Sequence, residues 1–289
     1  MHGVGRAGSA PVVTERRGAA AVVEGRGASG PRTARFALEA AADQARDLGV
    51  GAAVARQVGY FGALWWSVAP AADRGLVAVS MVNAMAVVAP AGGSEALHGT
   101  NPIAVAVPGE PDPTILDMRT NIFQMADYWE SIRTGDPLPE GGLVRADGSS
   151  VTDPSEIDDA VYLPLAGPKG YGLALVVDVL TAALAGAPIG RDVVWETERD
   201  GLAGFFLVID PAFFGPPERF ADGVRRLAEQ AHATVPVDAE SPVRLPGERG
   251  AAERRERLAH GIPVDPVLWR HLEQRLAALG LDVALPALA

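Results

Sequence analysis

The strongest constraint on this chain is its alternation of short apolar runs with longer stretches of helical period. Residues 19–24 (AAAVVE) read as a short strand. From Pro31 to Leu48, Ala34, Leu38, Ala41, Ala45 and Leu48 share one helical face. Strand-like runs follow at 50–56, 76–82 (LVAVSMV), 103–107 (IAVAV), 114–118 and 205–209 (FFLVI). Helical stretches are expected at 63–73, 172–185, 217–233 and 266–281, with 172–185 apolar enough to be fully buried. Residues 1–18 and 133–160, rich in Gly with Ser, Arg, Pro or Asp, read as loop. Strands and helices in alternation specify the α/β class.

Composition removes several function classes. The 289 residues carry 25 Lys and Arg against 36 Asp and Glu, a formal charge of −11. Such a balance lacks the clustered cations a nucleic-acid surface needs to displace counterions. With 48% apolar and 21% charged residues the chain can build a core. Its longest apolar run, 173–184, is too short for a membrane span and contains Asp178. The start, broken by Arg6, Arg16 and Arg17, does not read as a signal peptide. No cysteine is present, which rules out disulfides, thiolate nucleophiles and Cys-ligated metals. A cytoplasmic protein binding no metal, nucleic acid or membrane is expected.

Five motifs could carry chemistry. Gly25-Arg26-Gly27-Ala28-Ser29-Gly30 fits G-x-G-x-x-G between a strand and a helix, with Asp43 and Asp47 downstream. In a Rossmann unit such a loop cradles a pyrophosphate, but the ribose-binding acid should end the second strand, and both Asp residues fall inside the helix. A structural turn is the competing reading. In Met1-His2-Gly3-Val4-Gly5-Arg6 an imidazole suited to proton donation near neutrality stands four residues before an arginine able to grip a carboxylate. His98-Gly99-Thr100-Asn101-Pro102 offers hydroxyl and amide groups at a turn entering a strand. Gly167-Pro168-Lys169-Gly170-Tyr171-Gly172 opens the most apolar helix with glycines and the chain's only lysine, a pattern suited to an anion though not a Walker motif. Leu245-Pro246-Gly247-Glu248-Arg249 reads by itself as a surface loop.

Taken in order, HGVGR, GTNPIA, LDM-x-T, LP-x-x-G-x-KGYGLA, GFFLVIDP and LPGER resemble the malate/L-lactate dehydrogenase type 2 family over nearly the whole chain. The resemblance implies a non-Rossmann, NAD(P)-dependent α/β fold with interleaved domains, a homodimer, and a G-x-G-x-x-G at 25–30 that binds no dinucleotide. It also implies an N-terminally truncated chain. The domains it implies are 1–65 plus 220–289 on the dimer and substrate side and 66–219 for the cofactor.

Residues 60–65 (YFGALW) and 75–85 (GLVAVSMVNAM) are similar to the branch that reduces Δ1-piperideine-2-carboxylate and Δ1-pyrroline-2-carboxylate. That branch carries Asp where 2-hydroxy-acid members commonly carry Lys, and the matching position is Asp127. The resemblance then implies the following roles. His2 donates a proton, Asp127 acts in the relay that holds it, and Tyr60 stands where the family has a histidine. Arg6 and Thr100 grip a small carboxylate substrate. Tyr60, Phe61, Leu64, Asp117, Met118, Arg119, Lys169, Gly247, Glu248 and Arg249 contact NADPH or NADH. Met1 stands where a serine is usual. The expected activity is reduction of a C=N bond beside a carboxylate. A 2-hydroxy-acid dehydrogenase and a non-redox member of a specialised biosynthetic pathway remain the alternatives.

Overall fold

The computed structural model describes residues 8–194 and 201–281. They fall into two compact units, Met1–Pro246 and Gly247–Ala289.

The first unit is built on a seven-stranded mixed sheet. Its elements in chain order begin with β1 (Val12–Arg17), β2 (Ala20–Glu24), α1 (Gly30–Leu48), β3 (Val50–Val58), α2 (Trp65–Ala72), β4 (Val77–Val82), β5 (Ile103–Val107) and β6 (Thr114–Met118). They continue with α3 (Met125–Thr134), β7 (Leu143–Val144), β8 (Val161–Tyr162), α4 (Pro168–Asp178), a π-helical turn (Val179–Ala183), β9 (Leu202–Ile209) and α5 (Pro217–His232). The strand order is β1-β2-β3-β9-β4-β5-β6. Only β2 and β3 pair in parallel, bridged by the α1 crossover; every other neighbouring pair is antiparallel. The late strand β9 inserts between β3 and β4, so the sheet runs unbroken from strands before residue 65 to strands after it. This is α/β without a doubly wound parallel sheet.

Alternation along the strands sorts the two faces. Ala21, Val23, Ala53, Ala55, Phe206 and Val208 pack with Ala34, Leu38, Ala41 and Ala45 of α1 and Val68 and Ala71 of α2. Val54 and Ala203 point the other way and meet Ala182 and Ala185 at the end of the π turn. The alanine stripe brings α1 unusually near the sheet. A Cβ at Gly51 would lie 1.9 Å from the Ala41 carbonyl oxygen, so only glycine fits there. A third, smaller core gathers Phe123, Leu138, Leu143 and Val151 around α3 and the β7–β8 pair.

The elements correct the sequence reading in four places. Residues 12–17, read as loop, form the edge strand β1; its last residues Glu15–Arg17 are exposed charges, which hide an apolar alternation. Within 133–160, residues 154–159 form a 3₁₀ turn, while α3 precedes the loop. The stretch 172–185 is not fully buried: Leu173, Leu175, Val176, Val179 and Leu184 are all at least 40% exposed. Residues 245–249, read as a surface loop, lead into and begin a helix, α6 (Glu248–His260). In the second unit α6 is followed by α7 (Pro266–Ala278), which starts where the Asp265 carboxylate accepts the Val267 and Leu268 amides at 2.7 and 3.2 Å.

Candidate active site

The antiparallel run places the end of β3, the end of β4, the start of β5, the end of β6 and the start of β9 at one end of the sheet. The segments leaving these ends enclose a cavity of about 650 Å³. Tyr60–Ala63 follow β3, Asn83 and Ala84 follow β4, Thr100 and Pro102 lead into β5, Asp117 and Met118 end β6, and Arg119, Asn121, Ile122 and Gln124 come after it.

Much of the wall is fixed by side chains bonding backbone. One Asp117 carboxylate oxygen accepts the Leu64 and Trp65 amides, both at 2.9 Å. Those amides open α2, where the helix dipole also favours a negative charge. Asn83 donates to the Pro188 carbonyl and accepts from the Ala203 amide, tying β4 to β9. Asn101, fully buried, adopts φ 37°, a conformation rare outside glycine. Its side chain holds that geometry by donating to Ala174 at 2.9 Å and accepting from Ala84 at 3.2 Å. Thr120 bonds the Thr100 carbonyl through both its amide and its hydroxyl, at 3.0 Å each, which joins the β5 and β6 walls.

Three polar groups on this wall have no such bond. The Nε of Arg119 and the Oδ1 of Asn121 are shielded from solvent without a partner among the described residues, although Asn121 donates through Nδ2 to Phe123 at 2.7 Å. The Thr100 hydroxyl makes no hydrogen bond among the described residues. Asp117 and Arg119 are the only charged side chains lining the cavity among the described residues.

The expected site residues divide as follows. Tyr60, Phe61, Thr100, Asp117, Met118 and Arg119 come together around the cavity. Leu64 is buried behind it. Asp127 sits in the first turn of α3, where its carboxylate accepts the Gln124 amide at 3.2 Å, steadying a residue that lines the cavity. Lys169 is exposed and lies outside the lining. The amides of Lys169 and Gly170 are used by the Ala166 and Leu165 carbonyls, so the α4 start presents no free anion cradle there. Gly247, Glu248 and Arg249 belong to the second unit. His2 and Arg6 fall outside the described residues. Asn83, Asn121 and Gln124 were missed by sequence reasoning: each is a neutral amide in no recognisable pattern, although Asn83 and Asn121 lie just past β4 and β6.

The G-x-G-x-x-G segment does sit between β2 and α1 in a parallel crossover, but its amides are spent. Gly25 and Gly27 donate to Arg56 and Gln57, and Gly30 to Tyr60. A Cβ on Gly30 would lie 2.4 Å from the Phe61 Cα. The glycines let the strand-to-helix loop pack against residues 56–61, and no amide of these three remains for a pyrophosphate. A further polar pair lies behind the Thr100 wall. His98 Nδ1 and Asp178 Oδ2 are 2.6 Å apart and both residues are buried, with the Tyr171 ring 5.5 Å from the imidazole.

A mixed sheet with a polar cavity at its end and a spent glycine loop is an α/β scaffold without a Rossmann dinucleotide turn. The chain belongs to the malate/L-lactate dehydrogenase family, whose profile matches residues 2–273. It is thereby an NAD(P)-dependent oxidoreductase. It is 32% identical over 268 residues to the L-sulfolactate dehydrogenase of Methanocaldococcus jannaschii, covering 92% of this chain and 77% of that one. It is 38% identical over 231 residues to the Δ1-pyrroline-2-carboxylate/Δ1-piperideine-2-carboxylate reductase of Pseudomonas putida, covering 76% and 64%. The crystal structure of Δ1-piperideine-2-carboxylate reductase from Pseudomonas syringae superposes with a TM-score of 0.82 at 31% identity, covering 92% and 80%.

Proposed function

We propose that this protein reduces a C=N bond adjacent to a carboxylate, in a cyclic ketimine or an N-alkyl imine of a 2-oxo acid, with NADPH or NADH. Asp127 carries the choice of C=N over C=O. A carboxylate near the reacting centre favours a protonated, cationic imine and orients a proton donor. The likeness to the Pseudomonas reductases supports the same reading.

The cavity suits the cofactor's reactive end: an apolar and aromatic wall from Tyr60 to Ala63, amide groups, and a guanidinium at Arg119 that has no ion pair among the described residues. When bound, the nicotinamide supplies the hydride. The protein's share is position and proton supply. Thr100 and Arg6 hold the substrate carboxylate, His2 gives a proton to the product nitrogen, and Asp127 keeps that imidazole in place. Tyr60, Phe61, Asp117, Met118 and Arg119 form the cofactor side, with Leu64 behind them; Lys169, Gly247, Glu248 and Arg249 are proposed as cofactor contacts on the family resemblance alone.

The reading extends to assembly and place. The exposed apolar side chains of Leu175, Val176, Val179 and Leu184 are the surface that a second copy would cover in a homodimer. Among the described residues no helix is long and apolar enough to cross a membrane. That fits cytoplasmic biosynthetic work on a small carboxylate.

Oxidation of NADPH followed at 340 nm tests the reaction. Turnover is expected with Δ1-piperideine-2-carboxylate, Δ1-pyrroline-2-carboxylate or pyruvate plus methylamine, and His2→Ala should lower kcat by about 10²–10⁴. Turnover of malate or lactate with no imine reduced would make the protein a 2-hydroxy-acid dehydrogenase. Unchanged activity in His2→Ala would remove the proton donor from the proposal.

A further inference from the structure

We infer that Arg119 and Asn121 form a subsite for an oxyanion that carries a hydrogen-bond donor on a neighbouring atom. It deepens the reading above and rests on it only for the identity of the ligand.

Arg119 is the first residue past β6, and Asn121 follows two positions later. Both line the cavity. Arg119 has no ion pair among the described residues. Asp117, the only other charged group of the lining, has one oxygen committed to the two amides that open α2. Its charge is therefore partly answered by the helix start, and the guanidinium is left to an outside partner.

The Asn121 amide has a fixed orientation. Its Nδ2 already donates to Phe123, which fixes Oδ1 as an acceptor. That oxygen and the Arg119 Nε are both closed off from solvent with no partner among the described residues. A buried donor and a buried acceptor left unmade two residues apart are costly, and protein interiors leave few of them. The complementary ligand offers an anion to the guanidinium and an N–H or O–H to the amide oxygen. The Thr100 hydroxyl, on a residue whose carbonyl is tied to Thr120, supplies one more bond.

Two sources present that pair of groups. A 2-imino or 2-hydroxy acid carries its carboxylate beside an iminium N–H or a hydroxyl. The ribose 2′-phosphate of NADPH lies beside the 3′-hydroxyl. The guanidinium binds either oxyanion in a forked geometry that lysine cannot copy.

Calorimetric titration of the full chain tests the subsite without turnover. Wild type, Arg119→Ala, Arg119→Lys and Asn121→Leu would be titrated with pyrrole-2-carboxylate and the neutral pyrrole-2-carboxamide, both in the presence of cofactor, and separately with NADPH and NADH. Arg119→Ala is expected to weaken one anionic probe at least tenfold, leave its neutral or phosphate-free counterpart within twofold, and keep the melting temperature. Arg119→Lys should recover part of the loss. Loss confined to pyrrole-2-carboxylate assigns the subsite to the substrate; loss confined to NADPH, bringing it to the NADH level, assigns it to the cofactor. Should Arg119→Ala fail to fold, Arg119→Lys and Asn121→Leu give the same comparison. Unchanged affinity for both anions, or a crystal structure with only water between Arg119 and Asn121 while ligands bind elsewhere, would overturn the inference. Arg119-dependent anion binding in a protein that reduces no imine would keep the subsite and remove the proposed reaction.

Discussion

His98 shows how much of the cavity wall depends on groups that never line it. Its Nδ1 lies 2.6 Å from Asp178 Oδ2, inside packing that leaves each side chain about 5% exposed. His98→Leu would strand the Asp178 carboxylate in an apolar setting. Losing one partner of a buried pair costs about 3–5 kcal/mol. Urea unfolding should show a loss of that order, together with a weaker affinity for cavity ligands, because Gly99–Asn101 follow directly. A loss below about 1 kcal/mol would mean that the pair contributes nothing to the wall. The sequence exposed His98 and Asp178 separately, one in a turn motif and one as the lone charge of an apolar run. Nothing in their spacing of 80 residues joins them. Arg119 was legible as a site residue only through the family motif. Its lack of an ion pair among the described residues is a property of the folded wall, and so is the unpartnered Asn121 Oδ1.

At the scale of elements, α1 against β3 is the tightest joint. Gly51→Ala would push a methyl into the Ala41 carbonyl, and overpacking of this kind costs about 1–3 kcal/mol or more. A thermal-melt decrease of several degrees is expected; no change would mean that helix and strand separate freely. Helix α1 is also linked by charge to the turn that follows α2. Arg74 bonds Glu39 at 2.8 Å and, with Arg35, holds the Glu39 carboxyl below the ordinary glutamate range. A lowered folded-state pKa gives stability that is present above the unfolded value, about 4.3, and fades as pH falls through the folded value. The pair is partly exposed, so Glu39→Gln should lose only about 0.5 kcal/mol at pH 7. The difference from wild type should shrink as pH drops below about 4; a constant difference would contradict the linkage. Elements with a one-sided pattern were legible: Ile103–Val107 and the alanine face of α1 stand where the sequence puts them. Edge strand β1 and helix α3 were not, because exposed charges in one and exposed aromatics such as Trp129 in the other blur the period.

For the whole molecule, the late insertion of β9 joins strands from both halves of the chain into one sheet. The cavity forms only once that strand is in place, since Leu202 and the Asn83–Ala203 bond belong to its wall. The homodimer reading is checked by light scattering on purified protein: twice the 30.0 kDa chain mass is expected, and Val176→Glu with Val179→Glu should shift it toward one. A monomer at every concentration would leave the α4 face to another role. The central claim, that the end of this sheet is a nicotinamide–carboxylate pocket, is tested most directly by a crystal structure grown with NADPH and pyrrole-2-carboxylate. The expected result is a nicotinamide ring and carboxylate side by side between Tyr60, Thr100 and Arg119. A dinucleotide bound away from that cavity, or none at saturating concentration, would contradict it.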